Sequence, residues 1–558
     1  MKRVGIVAVL VTALIAALPS VAAAHKKHKD RDTEVRLLAI NDFHGNLQPP
    51  SGSSGRIATG PTTTVDAGGA EYLATHLARL RAGKRHTFSV AAGDNIGGTP
   101  LISGLFHDEP TIEALNKMGL DVAGVGNHEF DEGWRELRRM QHGGCHPVDG
   151  CQDGDPFSGA FFQYLAANVF FEGTDRTILP PYEIERAGRE KVAFIGLTLE
   201  GTPLVVTPAA VEGLEFRDEV VTTNALVRKL RRRGIETIVV LIHEGGQQNA
   251  PFAQGFMDVN RCDNFSGAIK PIVEALDREV DAVVSAHTHQ PYVCTFNGIP
   301  TTSAASFGRL ITAIDLRIDG RRDDVEFVHA RNHIVTRDVA ADPRQTRLIA
   351  KYEELSAPIA NRVVGTATAD IVRAANAAGE SPLGDVIADA QLAATAPTDF
   401  GGAVVAFMNP GGIRADIAAG EVTYGELFTV QPFSNVMTVK TMTGDMIRRL
   451  LEQQFEVATP PRILQVSAGF AYSYDATAPA GSRVSNITIG GVPVSPTASY
   501  RVAMNNFLAD GGDGFTVFRE GTDQLGGEID LDALANYFME HSPVAPGPQN
   551  RITRLDQP

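Results

Sequence analysis

From Val35 onward the chain repeats one pattern: a short apolar run, a polar or glycine-containing turn, then a longer amphipathic segment. The runs are VRLLAI at 35–40, TFSVAAGD at 87–94, DVAGVGN at 121–127, VAFIGLT at 192–198, TIVVLIH at 237–243 and DAVVSAH at 281–287. Each is rich in Val, Ile, Leu and Ala and has the length of a strand buried on both faces. The stretches Glu71 to Ala82 and Asn224 to Arg233 read as helices between them. This alternation predicts a layered α/β or α+β domain. A single charged, helix-favouring segment, DPRQTRLIAKYEELSAPIA at 342–360, carries Pro near its start and near its end. Beyond it a helix at Leu383 to Ala394 mixes with strands such as VVAFM, VMTVKTM and YRVAM, an α+β pattern.

At 558 residues the chain exceeds one ordinary core. All histidine-rich turns precede residue 342 and only His541 follows, which sets the expected division: a first domain at 34–341, a linker or hinge helix at 342–361, and a second domain at 362–558. At the start, Lys2 and Arg3 precede an apolar run from Val4 to Leu18, and Ala22, Ala23 and Ala24 offer small residues for cleavage. This reads as a signal peptide at 1–24, cleaved near Ala24, followed by a mobile polar leader at 25–33. An uncleaved anchor is the alternative, but the run is shorter than the roughly 18 to 20 residues needed to span a bilayer. The expectation is export to the periplasm or the medium without a stable membrane anchor. In such an oxidising compartment Cys145, Cys151, Cys262 and Cys294 can pair. The spacing in CHPVDGC favours Cys145 with Cys151, leaving Cys262 with Cys294. A net charge of −16 argues against coating a nucleic-acid polymer, so an anionic substrate must be drawn in locally by metals or arginines.

The chemistry lies where the runs end. In turn they deliver Asp42 and His44 (NDFHGN), Asp94 (GDNIGG), Asn127 and His128 (GNHEFD), His243 (HEGG), and His287 and His289 (AHTH). Strand ends are where side chains leave a packed sheet and converge on a crevice. Any one of these histidines is more often a satisfied core or surface residue than a ligand. Five turns carrying ligand-type residues in order are a different matter. The donors are carboxylate, amide oxygen and imidazole with no thiolate, which suits two divalent ions such as Zn, Mn, Fe or Co. Asp94 is placed to bridge two cations about 4 Å apart, where a shared water is acidified and aimed in line at phosphorus.

The series DxH, GD, GNHE, H and GHxH resembles the signature of calcineurin-like metallophosphoesterases. NDFHGN with GNHEFD is similar to the bacterial 5′-nucleotidase and 2′,3′-cyclic-nucleotide phosphodiesterase branch. The resemblance implies a four-layer α/β/β/α domain followed by an α+β 5′-nucleotidase C-terminal domain. It also implies one metal on Asp42, His44, Asp94 and His289, and a second on Asp94, Asn127, His243 and His287. His128 is then a catalytic imidazole beside the phosphate, its ring oriented by Asp131. Ala286 stands where the family usually has Gly, and its methyl group is expected to crowd the turn slightly.

In the second half NPGGIRAD at 409–416, QPFSN at 431–435 and NFLADGGDGF at 506–515 resemble the C-terminal domain of 5′-nucleotidases. By that likeness Phe433 and Phe507 clamp the base, while Asn409, Arg414 and Asp513 contact phosphate, base and ribose hydroxyls. An arginine common before the ExxLG motif is missing ahead of Glu380, the nearest basic residue being Arg373, and the family's LGN reads LGD with Asp385. The implied activity is release of phosphate from nucleoside 5′-monophosphates, with nucleoside diphosphates, UDP-sugars and 2′,3′-cyclic nucleotides as further candidate substrates. A hydrolase of the same fold acting on a non-nucleotide, sulfur-containing substrate is the nearest alternative, and a nucleotide-binding protein without turnover is the alternative of another class. If base and metals sit on different domains, the two must close on each other, with 342–360 as the hinge candidate.

Overall fold

The computed structural model describes residues 32–50, 52–206, 208–320, 324–433, 435–457 and 460–556. The expected signal peptide lies outside them, as does the expected leader up to residue 31. Two six-stranded sheets form the first half. One runs Asp324–Ile334, Leu310–Asp319, Thr33–Ile40, Thr87–Ala92, Val122–Gly124, Gln163–Leu165, its last four strands parallel. The other runs Pro291–Phe296, Ile299–Ala304, Ala282–Ser285, Thr237–His243, Glu190–Thr198, Tyr182–Ala187, with the middle four parallel.

Side chains alternate across a strand, so a continuous apolar run must be covered on both sides. Leu37 and Ala39 point into a core shared with Val239 and Leu241 of the second sheet. Leu38 instead packs beneath Leu73 and Leu77 of the helix Ala70–Arg81. On the second sheet Ile238 and Val240 pack beneath Val227 and Leu230 of the helix Glu219–Arg231. The result is helix, sheet, sheet, helix, as the resemblance implied. Ala286 lies in the inter-sheet core, fully buried, so its methyl group is packed where crowding was expected.

The second half centres on a five-stranded sheet, Gln465–Val466, Val405–Met408, Ser499–Asn505, Val436–Thr443, Thr522–Ile529. Ile447, Leu450 and Leu451 of the helix Gly444–Gln453 cover one face, and Ala533 of the helix Asp530–His541 covers the other. Between the halves runs the helix Pro343–Ala360, opened by Asp342, whose carboxylate accepts from the Arg344 N–H at 2.8 Å. Its Leu348, Ile349 and Tyr352 lie in the first half's core. Cys145 is bonded to Cys151, the pair that spacing favours, and Cys262 to Cys294, the pair left by exclusion. Among the described residues no helix is long and apolar enough to cross a membrane.

Candidate functional site

Every parallel strand that carries a motif ends at the same edge of its sheet, and the turns beyond bring the ligand-type residues together. Asp42, His44, Asp94, His287 and His289 all adopt positive φ, between 46° and 71°. A non-glycine residue held there is strained, and such strain clusters where a side chain must be aimed. Asp42, His44, Asp94, Asn127 and His243 are at most 2% exposed.

Two groups of donors form around Asp94. In the first, Nε2 of His44 lies 3.2 Å from Nε2 of His289 and 3.5 Å from Oδ2 of Asp94, and His289 Nε2 is 3.4 Å from Oδ1 of Asp42. In the second, His243 Nε2 lies 2.9 Å from Asp94 Oδ2, and His287 Nδ1 lies 3.0 Å from Asn127 Oδ1. Outer contacts fix which nitrogens point inward. His44 Nδ1 faces the Gly97 carbonyl at 2.7 Å and His243 Nδ1 the Ala92 carbonyl at 2.8 Å, which leaves both Nε2 lone pairs inward. His243 Nε2 is fully buried and has no aligned hydrogen-bond partner despite its closeness to Asp94. Donor atoms about 3 Å apart that converge in this way have the spacing of ligands around a shared cation. The residues present therefore fit divalent metal.

Three of the four imidazoles are held neutral, while at the fourth, His243, burial is outweighed by Asp94 and Asp42, which raise it to about 10 where no cation competes for their charge. Burial lowers the His44 and His289 imidazoles well below the ordinary histidine range, and burial followed by His243 takes His287 down to about 3. Neutral imidazole is the form that binds metal. Burial alone would raise Asp94, yet His243 and His128 outweigh it and hold the carboxyl well below its usual value.

His128 approaches from the side. Its backbone N–H donates to Asp94 Oδ1 at 2.9 Å, and its ring Nδ1 lies 2.8 Å from Asp131 Oδ2. Burial opposes protonation, but Asp131 and Asp94 raise the imidazole above its ordinary value. The His128 ring stacks on Phe433 of the second half, centroids 5.4 Å apart and planes 13° apart. Gly98 permits this approach, because a Cβ there would lie 2.9 Å from the Phe433 ring. Arg414 Nη2 reaches to 3.4 Å from His44 Nε2, and the guanidinium sits 5.7 Å above Phe433. Among the described residues no carboxylate pairs with it.

Asn127, His128, Asp131 and His287 share a cleft of about 290 Å³ with Asn409, Arg414, Phe433, Phe507 and Asp513. Thus the structure gathers the expected residues of both halves about one space. Asn409 Nδ2 donates to Asp513 Oδ2 at 3.0 Å, and Asn505 Nδ2 donates to Asn409 Oδ1 at 3.0 Å. Three neighbours escaped the sequence reading. Arg462 lines the cleft and pairs with Asp513, with no surrounding motif to signal it. Val206, also in its wall, carries no chemical signal at all. Glu129, buried, accepts the backbone N–H groups of Asp94, Asn95 and Gly126 at 2.8, 2.8 and 2.5 Å and ties two motif turns together. Its place inside GNHEFD was the available clue. Arg373 lines a neighbouring cleft with Arg309 and His289, and its guanidinium donates to Ser54 Oγ at 3.2 Å.

Residues 35–291 match the family described as calcineurin-like phosphoesterase, and residues 363–520 match the 5′-nucleotidase C-terminal domain. Endonuclease YhcR of Bacillus subtilis (strain 168) is 32% identical over 95% of this chain, which spans 42% of that protein's length. The 5′-nucleotidase of Vibrio cholerae is 27% identical, with 96% of each chain covered. A 5′-nucleotidase precursor from Thermus thermophilus superposes with a TM-score of 0.77 at 25% identity, covering 94% of this chain and all of that one.

Proposed function

Since the chain belongs to the 5′-nucleotidase family of metallophosphoesterases and is a phosphoric monoester hydrolase, we propose that it is an exported enzyme that releases phosphate from nucleoside 5′-monophosphates with two divalent metal ions. The observation that carries the nucleotide reading is the shared cleft, in which Phe433, Phe507 and Arg414 face His128 and the metal-type donors His287 and Asn127. One ion would be held by Asp42, His44, Asp94 and His289, the other by Asp94, Asn127, His243 and His287. When bound, they activate water and screen the phosphoryl charge. The chain supplies the rest. Phe433 and Phe507 present faces on which any base can stack. Arg414 offers a guanidinium fork to the phosphoryl oxygens. His128, its imidazole raised above the ordinary value by Asp131 and Asp94 against burial, is the group to stabilise developing charge or, when protonated, to protonate the leaving oxygen. Asn409 and Asp513, already paired, are positioned for hydroxyl groups of the ribose. An aromatic pair on the cleft is superfluous for a small sulfur-containing substrate, which weighs against that alternative. The test is a panel of AMP, ADP, ATP, UDP-glucose and 2′,3′-cyclic AMP under several metals. AMP should release phosphate, lose that activity with chelator and regain it with divalent ions. No release from any nucleotide would overturn the reading.

A further inference from the structure

A second group of metal-type donors lies outside this cleft. His107 follows the short helix Leu101–Gly104, Glu132 and Glu136 lie at the start of the helix Trp134–His142, and His146 and Asp149 belong to the loop closed by Cys145 and Cys151. One donor atom from each of His107, Glu132, Glu136 and His146 falls within 4.8 Å of all the others. The two imidazoles stack face to face, centroids 3.7 Å apart and planes 16° apart. His107 Nδ1 is 2.7 Å from Glu132, while its Nε2 is 2.8 Å from Asp149, whose same oxygen lies 3.3 Å from His146 Nδ1.

We propose that His107, His146, Glu132 and Glu136 bind a structural divalent transition metal of the zinc type, with Asp149 as the carboxylate behind the imidazoles. Two imidazoles and two carboxylates without thiolate are a donor set zinc accepts, and a ligating histidine almost always gives its other ring N–H to a carboxylate or carbonyl. Charge points the same way. Arg139 forks onto Glu136 at 2.6 to 2.9 Å, whereas among the described residues Glu132 and Asp149 pair with no Lys or Arg and meet only the imidazoles of His107 and His146. Backbone geometry supplies an independent sign. Among the described residues four histidines adopt positive φ: His44, His287 and His289, which aim into the metal-type centre, and His107, at 51°. The ion would fasten the disulfide loop to two turns that serve the main cleft. His107 precedes Asp108, which accepts the Gly97 N–H at 2.9 Å, and Glu132 follows Asp131. The competing occupant is a proton: Glu132, and then Asp149, raise the His107 imidazole to about 9 even though burial opposes it.

This inference does not depend on the nucleotide reading. Zinc per chain, measured by mass spectrometry on the full protein after equilibration with zinc and desalting, decides it. The variant Asp94→Asn/His243→Asn, deprived of the main centre, should keep one zinc, and adding His107→Gln/His146→Gln should remove it. In the otherwise unaltered protein that histidine pair should remove one zinc and leave AMP hydrolysis within about twofold, a lowered melting temperature being its main effect. Identical zinc content with and without the histidine pair would overturn the proposal in favour of the proton-bridged network. Failure of the main-centre assignment would show separately, as zinc unchanged by Asp94→Asn/His243→Asn. Glu132→Gln, close in shape to the native side chain, should weaken zinc retention at the loop by about 10-fold or more. Unchanged retention there would overturn the site even if the histidine pair failed to fold.

Discussion

Asp94 is the residue both donor groups share: His44 and His243 approach the same Oδ2 while Oδ1 accepts the His128 N–H. Asp94→Asn keeps the shape but removes the charge that lets one side chain serve two cations. We expect kcat to fall by on the order of 10³-fold, the scale seen when one preorganised electrostatic contact is lost. An unchanged rate in a steady-state assay would refute the bridging role. A second carboxyl, Asp385, stands where the resembling family has Asn. It is fully buried, accepts the Gln549 N–H at 2.9 Å and lies 3.8 Å from Arg551. Burial outweighs Arg551 and raises this carboxyl to about 7. The folded chain therefore holds a proton that an unfolded Asp, with a pKa of about 3.9, has released. The stability this confers is complete below about pH 4 and is lost as the pH rises through 7. Asp385→Asn should leave the melting temperature at pH 4 nearly unchanged and raise it at pH 8. Parallel melting curves across that range would contradict the assignment.

At the scale of elements, strands and ligands were the most legible features because one rule governs both. A strand buried on both faces must be apolar throughout, so its end is marked by the first polar residue, and that residue enters the crevice. Hence 237–243 was read to the residue, whereas the run 121–127 is strand only over Val122–Gly124, the rest having already turned toward the site. Glu129 and Arg462 were not legible, since one acts through backbone N–H groups and the other becomes a neighbour only when distant loops meet. The base clamp illustrates the same limit. Phe433 and Phe507 are ordinary residues in sequence, and it is their separate loops that bring both to the lining of one cleft. Gly512 lets one of these loops close, since a Cβ there would meet the Phe507 ring at 2.6 Å. Phe433→Ala or Phe507→Ala should each cost on the order of 1 to 3 kcal/mol of base binding, roughly 5- to 150-fold in KM for AMP. KM for p-nitrophenyl phosphate, which has no nucleobase, should shift far less. An equal change for both substrates would argue against stacking.

For the whole molecule, the helix Pro343–Ala360 decides where one half ends and the other begins. The histidine asymmetry puts the domain boundary here and the family resemblance makes this helix the hinge candidate, yet three of its apolar side chains lie within the first half's core. Tyr352 packs edge-on against Phe106, centroids 4.9 Å apart, and the Gln345 side chain donates to the Ala114 carbonyl at 3.0 Å. Its last turn, where Pro358 sits within the helix and Asn361 ends it, contributes no side chain to that core. Burying Leu348 and Ile349 contributes roughly 1.5 to 3 kcal/mol each. That is a large part of the roughly 5 to 15 kcal/mol by which a domain is typically stable. A chain of residues 34–361 should therefore melt cooperatively and, with divalent metal, hydrolyse p-nitrophenyl phosphate without preferring AMP. A chain of residues 34–341 leaves Phe106 and the face of Ala70–Arg81 uncovered and should aggregate or melt without a sharp transition. If the shorter chain melted within about two degrees of the longer, the helix would be a spacer and the hinge would belong at its start, before Asp342, instead of beyond Pro358.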